Sequence, residues 1–399
     1  MLKRIPMTEL RLGMYVHELC DLQAQQHFLS KSFLLRHEGD LQRIRETGVG
    51  WISIDLSRSV LLAPEQTAHP RPQVPQGPVP LSEEVQSALA LCRRAKAVVT
   101  RLITDVRMGR IAEVAEIRDL VAEVSDSLSR HPDALLGMAR LKGADEYTYL
   151  HSLAVCALMI GLARQLALPD KLVREAGMAG LLLDIGKLDI PNAILSKTGT
   201  LSEEELAVIR SHPANGARLL GLNNQFSERI LDVCLHHHER YDGSGYPDKL
   251  AGSQISLFAR MGAICDVYDA MTSERPHQRR QGPAESIGRM AGWVGAFDEK
   301  VFHAFVKCVG IYPVGSLVRL QSGNLGVVVE QNPTSLLTPK VRVFFSAQRK
   351  VPIEQRLIDL SMADEPERIV GRECARYWGF KHLDALWTGL PEQQTSRSG

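Results

Sequence analysis

From Glu146 to about Cys308 the chain reads almost entirely as helices, and acids and histidines interrupt their apolar faces. This feature limits the fold more than any other. An ionisable side chain buried in an apolar surface is costly unless it is paired, so such helices must pack around a shared polar centre. His151 lies in the apolar segment TYLHSLAVCALMIGLA. Alone, a histidine there is more often a hydrogen-bonded core residue than a ligand, and its case depends on its company. Asp184 follows three leucines at the end of AGMAGLLLDIGK, with Gly186 placed as a C-terminal helix stop. The negative end of the helix dipole and the apolar neighbours both oppose a carboxylate, so a cation must compensate. Lys187, three residues on, and a divalent metal are both open as that cation.

The segment LHHHERYDGSGYP is the most informative in the chain. Three consecutive histidines followed by Glu239 and Asp242 concentrate metal-ligand chemistry at a helix-to-loop junction. Gly243 and Gly245 require a tight loop, which by itself is compatible with a mere turn. His212 follows TLSEEELAVIRS, where Ser202 and Glu205 form a capping box, and precedes Pro213, which suits the first turn of a new helix. At that break in direction a ligand and a surface histidine are equally acceptable. Asp266 and Asp269 lie one turn apart in ARMGAICDVYDAMT, and buried carboxylates again call for a cation.

Together these segments supply three or four histidines and two aspartates from four separated helices, as a helical bundle does when it builds a di-metal pocket. Two cations a few ångströms apart suit phosphoester chemistry, because they can bridge a hydroxide nucleophile and neutralise phosphate oxygens. Lys187 and Arg275 would add positive charge for the phosphates.

The surrounding sequence suggests a chain that is mainly α, with small flanking domains. Residues 1–62 carry short alternating runs around Met14, Val16, Ile52 and Ile54, a small α+β module. Residues 63–81 form a linker containing six prolines. Helical periodicity over 82–139 marks a connector into the main domain, residues 140–312. Val318, Leu320, Val327 to Val329, Val341, Val343 and Phe344 point to short strands in a β-rich region over 313–390, and 391–399 form a polar, disordered tail. A net charge of +1 gives no support to DNA or RNA as a partner. The longest apolar stretch, Leu153 to Ala163, is about half the roughly 20 residues that span a bilayer. Seven scattered cysteines without a CxxC, and no secretory signal, place the protein in the cytoplasm.

The motifs DEYTYLHS, AGLLLDIGK, SKTGTLSEEE, SHPANGARLL, HHERYDGSGYP and CDVYDAMTSERP, in that order over roughly residues 140–310, resemble the HD-GYP subgroup of the HD phosphohydrolases. The N-terminal LRLGMYVHEL resembles the short domain that precedes HD-GYP domains in one bacterial subgroup. The resemblance implies an HD-type helical bundle and hydrolysis of cyclic di-GMP to pGpG or GMP. His151, Asp184 and Asp266 would bind one metal, and His212, His237 and His238 the second, with Asp184 bridging. Lys187 and Arg275 would face the phosphates, and Gly245, Tyr246 and Pro247 would shape the loop beside the nucleotide. Iron or manganese is the metal implied, and nitrogen and oxygen ligands suit it. The resemblance leaves room for protein partners in bacterial signalling and for a homodimer.

The departures are specific. Leu183 stands where the family has the histidine of its HD pair, His277 and Gln278 replace a usual tyrosine and basic residue, and Phe258 replaces a usual glutamate. Leu183 supports an alternative, a degenerate domain that senses cyclic di-GMP or a metal and contacts other proteins. Hydrolysis of another phosphoester is disfavoured by DGSGYP.

Overall fold

The computed structural model describes residues 2–7, 10, 14–20, 32–35, 44, 50–55, 79–107, 114–140, 147–195, 197, 199–222, 225–273, 280–332, 334–362 and 367–389. Arg275, His277, Gln278, the tail 391–399 and all but the last three residues of the expected linker lie outside the described residues. The chain divides into two compact units, Met1–Val74 and Pro75–Gly399.

In the first unit, β1 (Leu2–Pro6), β2 (Tyr15–Cys20), β3 (Phe33–Leu34) and β4 (Trp51–Asp55) form an antiparallel sheet in the order β1-β4-β2-β3. Successive strand residues point to opposite faces. The alternation of Ile52 and Ile54 therefore buries one face, against Ile5, Leu10, Val16, Leu35 and Ile44.

The second unit begins with α1 (Leu81–Arg107), α2 (Val114–Arg130) and α3 (Pro132–Arg140), which lead into α4 (Tyr147–Gln165). Every residue from Leu153 to Ile160 is buried, so α4 is apolar all round because it is covered all round. It packs against α1, α2, α3, α5 (Asp170–Leu182), α10 (Leu257–Thr272) and α12 (Glu299–Val309). Burial of Leu153, Met159, Ile160 and Leu162 contributes about 1.5–3 kcal/mol each. The remaining helices are α6 (Asn192–Leu195), α7 (Glu203–Arg210), α8 (His212–Gly221), α9 (Glu228–His236) and α11 (Pro283–Ala291).

A second antiparallel sheet follows, in the order β8-β7-β6-β5-β9, built from β5 (Leu317–Leu320), β6 (Asn324–Glu330), β7 (Lys340–Ser346), β8 (Val351–Asp359) and β9 (Ile369–Arg372). It shares one core with the helices. The short α13 (Ala375–Trp378) and α14 (Ala385–Thr388) come last, and the Trp387 ring of α14 covers Gly137 of α3 so closely that an added Cβ would lie 2.4 Å from it. Strands β5 to β7 were anticipated. β8 and β9 were not, because they are the sheet's two edges and VPIEQRLID is mostly exposed, which leaves no apolar alternation to read.

The expected role of Gly186 needs correction. Helix α5 ends at Leu182 and a 3₁₀ turn runs from Ile185 to Asp189, with Gly186 inside it and outside the left-handed region that a helix-stop glycine adopts. The glycine is required by proximity. A Cβ there would lie 1.9 Å from the carbonyl oxygen of His212 and 2.5 Å from the Gly216 nitrogen. Both are backbone atoms that cannot swing aside. Gly186→Ala should therefore destabilise the protein by about 2 kcal/mol or more, seen as a lower urea midpoint. An unchanged midpoint would mean that α8 can shift away freely.

Candidate metal centre

Separate segments deliver the ionisable side chains to one place. α4 carries His151, and Asp184 stands in the turn between α5 and the 3₁₀ segment. His212 opens α8, His237 and His238 follow the last residue of α9, and α10 carries Asp266 and Asp269. The capping box foreseen at Ser202 and Glu205 is present and fixes the start of α7, so that the chain turns at Ser211 into α8. His212 is buried, which removes the alternative of a surface histidine.

The protons on these rings are set by helix ends. A carbonyl near a helix end can accept a second hydrogen bond, and that of Val233 already takes the His237 backbone N–H at 3.0 Å. His212 Nδ1 donates to the carbonyl of Ile209 in α7 at 2.7 Å, and His237 Nδ1 donates to those of Val233 and Cys234 in α9 at 3.1 and 3.0 Å. A carbonyl only accepts, so each neutral ring keeps its hydrogen on Nδ1 and a bare lone pair on Nε2. These lone pairs face one another. His212 Nε2 lies 3.3 Å from His237 Nε2 and 3.2 Å from His238 Nε2. Oδ1 of Asp184 is 3.3 Å from His212 Nε2 and 3.6 Å from His237 Nε2. Burial and the neighbouring His237 hold His238 well below the usual imidazole range. Lone pairs and a carboxylate oxygen gathered within 4.8 Å repel one another unless a cation sits among them. Ligands about 2.1 Å from a common ion stand roughly 3–3.5 Å apart, so the spacing fits a divalent metal.

A second group adjoins the first through Asp184. His151 Nδ1 donates to Asp269 at 2.7 Å, and its Nε2 lies 3.1 Å from Asp184 Oδ2 and 3.2 Å from Asp266 Oδ1. Burial opposes charge on this ring, but hydrogen bonds to Asp184, Asp266 and Asp269 outweigh it and raise the imidazole to about 10. Burial also opposes charge on Asp184, yet Lys187 and the hydrogen bonds from His151, His212 and His237 hold its carboxyl well below the usual range. Asp266 is likewise depressed, burial being outweighed by His151. In the metal-free protein the His151 proton stands where a second cation fits. Asp269, noted in the sequence only as a buried acid, supplies the carboxylate that fixes the ring and raises the basicity of its Nε2.

Of the two cations considered for Asp184, Lys187 is in place. Lys187 Nζ pairs with Asp184 Oδ2, while Oδ1 faces the histidines. Leu183 is buried in the core and its carbonyl accepts from the Cys234 thiol at 3.2 Å. Burial and the nearby Asp184 push that thiol up, so it stays protonated and offers no thiolate. His236 pairs with Asp232 and Asp248, and Glu239 Oε1 accepts from the Asp248 backbone N–H at 2.7 Å. Neither belongs to the two groups, so neither takes the place of a histidine at 183.

The GYP loop is more than a turn. At Gly245 a Cβ would lie 2.3 Å from the Arg240 nitrogen and 2.4 Å from Glu239 Cα, so only glycine fits. This close approach folds Tyr246 back onto His238, with ring centroids 4.8 Å apart and planes at 24°. The Tyr246–Pro247 peptide is cis. An open cleft of about 370 Å³ lies beside the cluster, and Lys187, Arg240, Arg289, Trp293, Tyr246, His238 and Asp266 contribute to its lining. Arg210 and Arg240 contribute to an adjoining one. The cationic lining suits an anionic ligand next to the two donor groups.

Residues 123–301 match the HD domain family, and residues 2–117 match a domain of unknown function, DUF3391. Cyclic di-GMP phosphodiesterase PA4108 of Pseudomonas aeruginosa is 56% identical, covering 99% of this chain and 98% of its own. The cyclic di-GMP phosphodiesterase response regulator RpfG of Xanthomonas campestris pv. campestris is 40% identical over 40% of this chain and 43% of its own. A 3'3'-cGAMP-specific phosphodiesterase of Vibrio cholerae is 33% identical over 49% of this chain and 42% of its own. Among solved structures, an HDG"Y"P protein from Bdellovibrio bacteriovorus aligns with a TM-score of 0.45 and 15% identity, covering 76% of this chain and 98% of that one. No helix among the described residues is long and apolar enough to cross a membrane.

Two outcomes are expected. Asp269→Asn should weaken metal binding by about 10–100-fold while leaving every ligand in place, measured by titration with a metal-competing chelator; an unchanged affinity would show that His151 needs no partner. Because the His151 proton persists to about pH 10, loading the metal-free protein at pH 8 should release about one proton into an indicator dye, and His151→Ala should abolish that release.

Proposed function

The chain belongs to the HD domain family, in the form that carries DUF3391 ahead of the HD domain, and on that footing we propose that it is a metal-dependent cyclic di-GMP phosphodiesterase. The observation that carries the reading is the convergence of bare Nε2 atoms on a carboxylate shared with a second ligand group. The name of its 56%-identical relative supports the substrate. The ligand sets are His151, Asp184 and Asp266 for one ion, and Asp184, His212, His237 and His238 for the other. Two divalent ions, iron or manganese given nitrogen and oxygen donors and a nearby thiol kept protonated, would supply Lewis acidity and a water acidic enough to attack at neutral pH.

The chain's own residues do the rest. Lys187, paired with Asp184 at the cleft, is placed to donate to a phosphate oxygen beside the ions. Arg210 and Arg240 attract the doubly charged dinucleotide, and Arg275 joins them by resemblance. Gly245 sets the loop, and Tyr246, backed by the Arg210 guanidinium 5.7 Å from its ring, holds His238 against rotation. The products are pGpG or GMP. The six cysteines whose side chains are described are all free, which supports a reducing, cytoplasmic setting.

Leu183 favours a second reading. It leaves His151, Asp184 and Asp266 as the first ion's side-chain ligands, which suits a nucleotide or metal sensor that contacts protein partners. Anaerobically purified protein loaded with iron or manganese separates the two. The enzyme reading expects turnover of cyclic di-GMP that Asp184→Ala abolishes and Leu183→His raises about 10-fold. Bound cyclic di-GMP without turnover would establish the sensor instead.

A further inference from the structure

We infer that the cleft wall formed by Trp293, Arg289 and Gln281 is a guanine-selective base subsite, an inference that rests on the reading of the cleft as a cyclic dinucleotide site. Arg289 is in the last turn of α11 and Trp293 lies four residues on, just past the helix end, so both reach the same cleft. The indole is held in place. The Arg240 guanidinium lies 5.5 Å from the centroids of both Trp293 and Phe297, and the two rings are 6.1 Å apart. A braced, half-buried indole lining a cationic cleft beside a phosphate-binding centre offers a face on which a base can stack.

Charge points the same way. Arg218, Arg229, Arg260 and Arg280 each pair with an acid. Among the described residues, Arg210, Arg240 and Arg289 have no such partner, although all three line the clefts. A guanidinium left unpaired there is available to a ligand. Gln281 supplies the complementary group. Its backbone N–H is tied to the Met271 carbonyl at 2.9 Å, while its buried Oε1 accepts no hydrogen bond among the described residues. Guanine answers both groups, since its O6 and N7 accept from arginine and its N1–H and N2–H₂ donate to an amide oxygen. Adenine in the same pose sets its N6–H₂ against the arginine donors and its bare N1 against the amide oxygen, so it matches neither group. A site built this way rejects the mismatched base because a buried polar group is then stranded.

The test begins with equilibrium binding of GMP and AMP to the full-length protein, by calorimetry and tryptophan fluorescence. Wild type should bind GMP at least 10-fold more tightly than AMP. Trp293→Ala should weaken both by about 10-fold or more, Trp293→Phe should restore most of that loss, and Gln281→Leu should erase the GMP preference. On the metal-loaded protein, Trp293→Ala should lower kcat/KM at least 10-fold more for cyclic di-GMP than for bis(p-nitrophenyl) phosphate, a diester without a base. A GMP affinity changed less than twofold by both Trp293→Ala and Arg289→Ala would overturn the subsite. So would equal losses on both diesters, which would mark Trp293 as a structural support. Failure of the enzymatic reading looks different: wild type would not turn over cyclic di-GMP, while the GMP and AMP series would still report on the wall.

Discussion

The second unit is organised around one buried negative charge. Asp184 sits past the end of α5, where the helix dipole and three leucines disfavour it, and it persists because lysine and histidines from three other segments meet it there. Its two oxygens face different partners, so one carboxylate ties α4, α8 and the turn after α9 to a single point. Much of the surrounding architecture can be read as the means of bringing donors to that point without leaving their own polar atoms unsatisfied. The ends of α7 and α9 illustrate this, since carbonyls there accept from the ring Nδ1 atoms and so orient the rings.

Much of this was legible in the sequence, and the reasons are physical. His212, His237, His238 and Asp184 were found because ionisable groups in apolar helices demand compensation, and the order of the motifs grouped them. The role of Asp269 was not legible, because a carboxylate one turn from a ligand reads the same whether it binds the ion or the ligand's far nitrogen. The role of Gly186 was misread for a related reason. A glycine after a helix signals a left-handed stop locally, and only the tertiary structure reveals a carbonyl of another helix at 1.9 Å from its missing Cβ. The edge strands β8 and β9 carried no pattern because solvent on their exposed sides removes the need for one.

Leu183 is the point where chemistry and packing pull apart. A histidine there would add a ligand but would have to be accommodated in a core that leucine fills with 1% exposure. The neighbouring Cys234 thiol bonds to the leucine's backbone carbonyl, a contact indifferent to the side chain at 183. The backbone frame around Asp184 therefore does not depend on the side chain at 183, and the group of His151, Asp184 and Asp266 has fewer donors than the group of Asp184, His212, His237 and His238.

The contact between Gly186 and α8 has a consequence for how such a centre can vary over time. Side-chain packing drifts as cores exchange one hydrocarbon for another, and distances that depend on it drift as well. Here the separation of Asp184 from His212 is gauged by main chain resting on main chain, at Gly186 against His212 and Gly216. A ruler made of backbone is indifferent to which apolar residues surround it. Exchanging one of those apolar residues for another leaves the dimensions of the centre to the main chain.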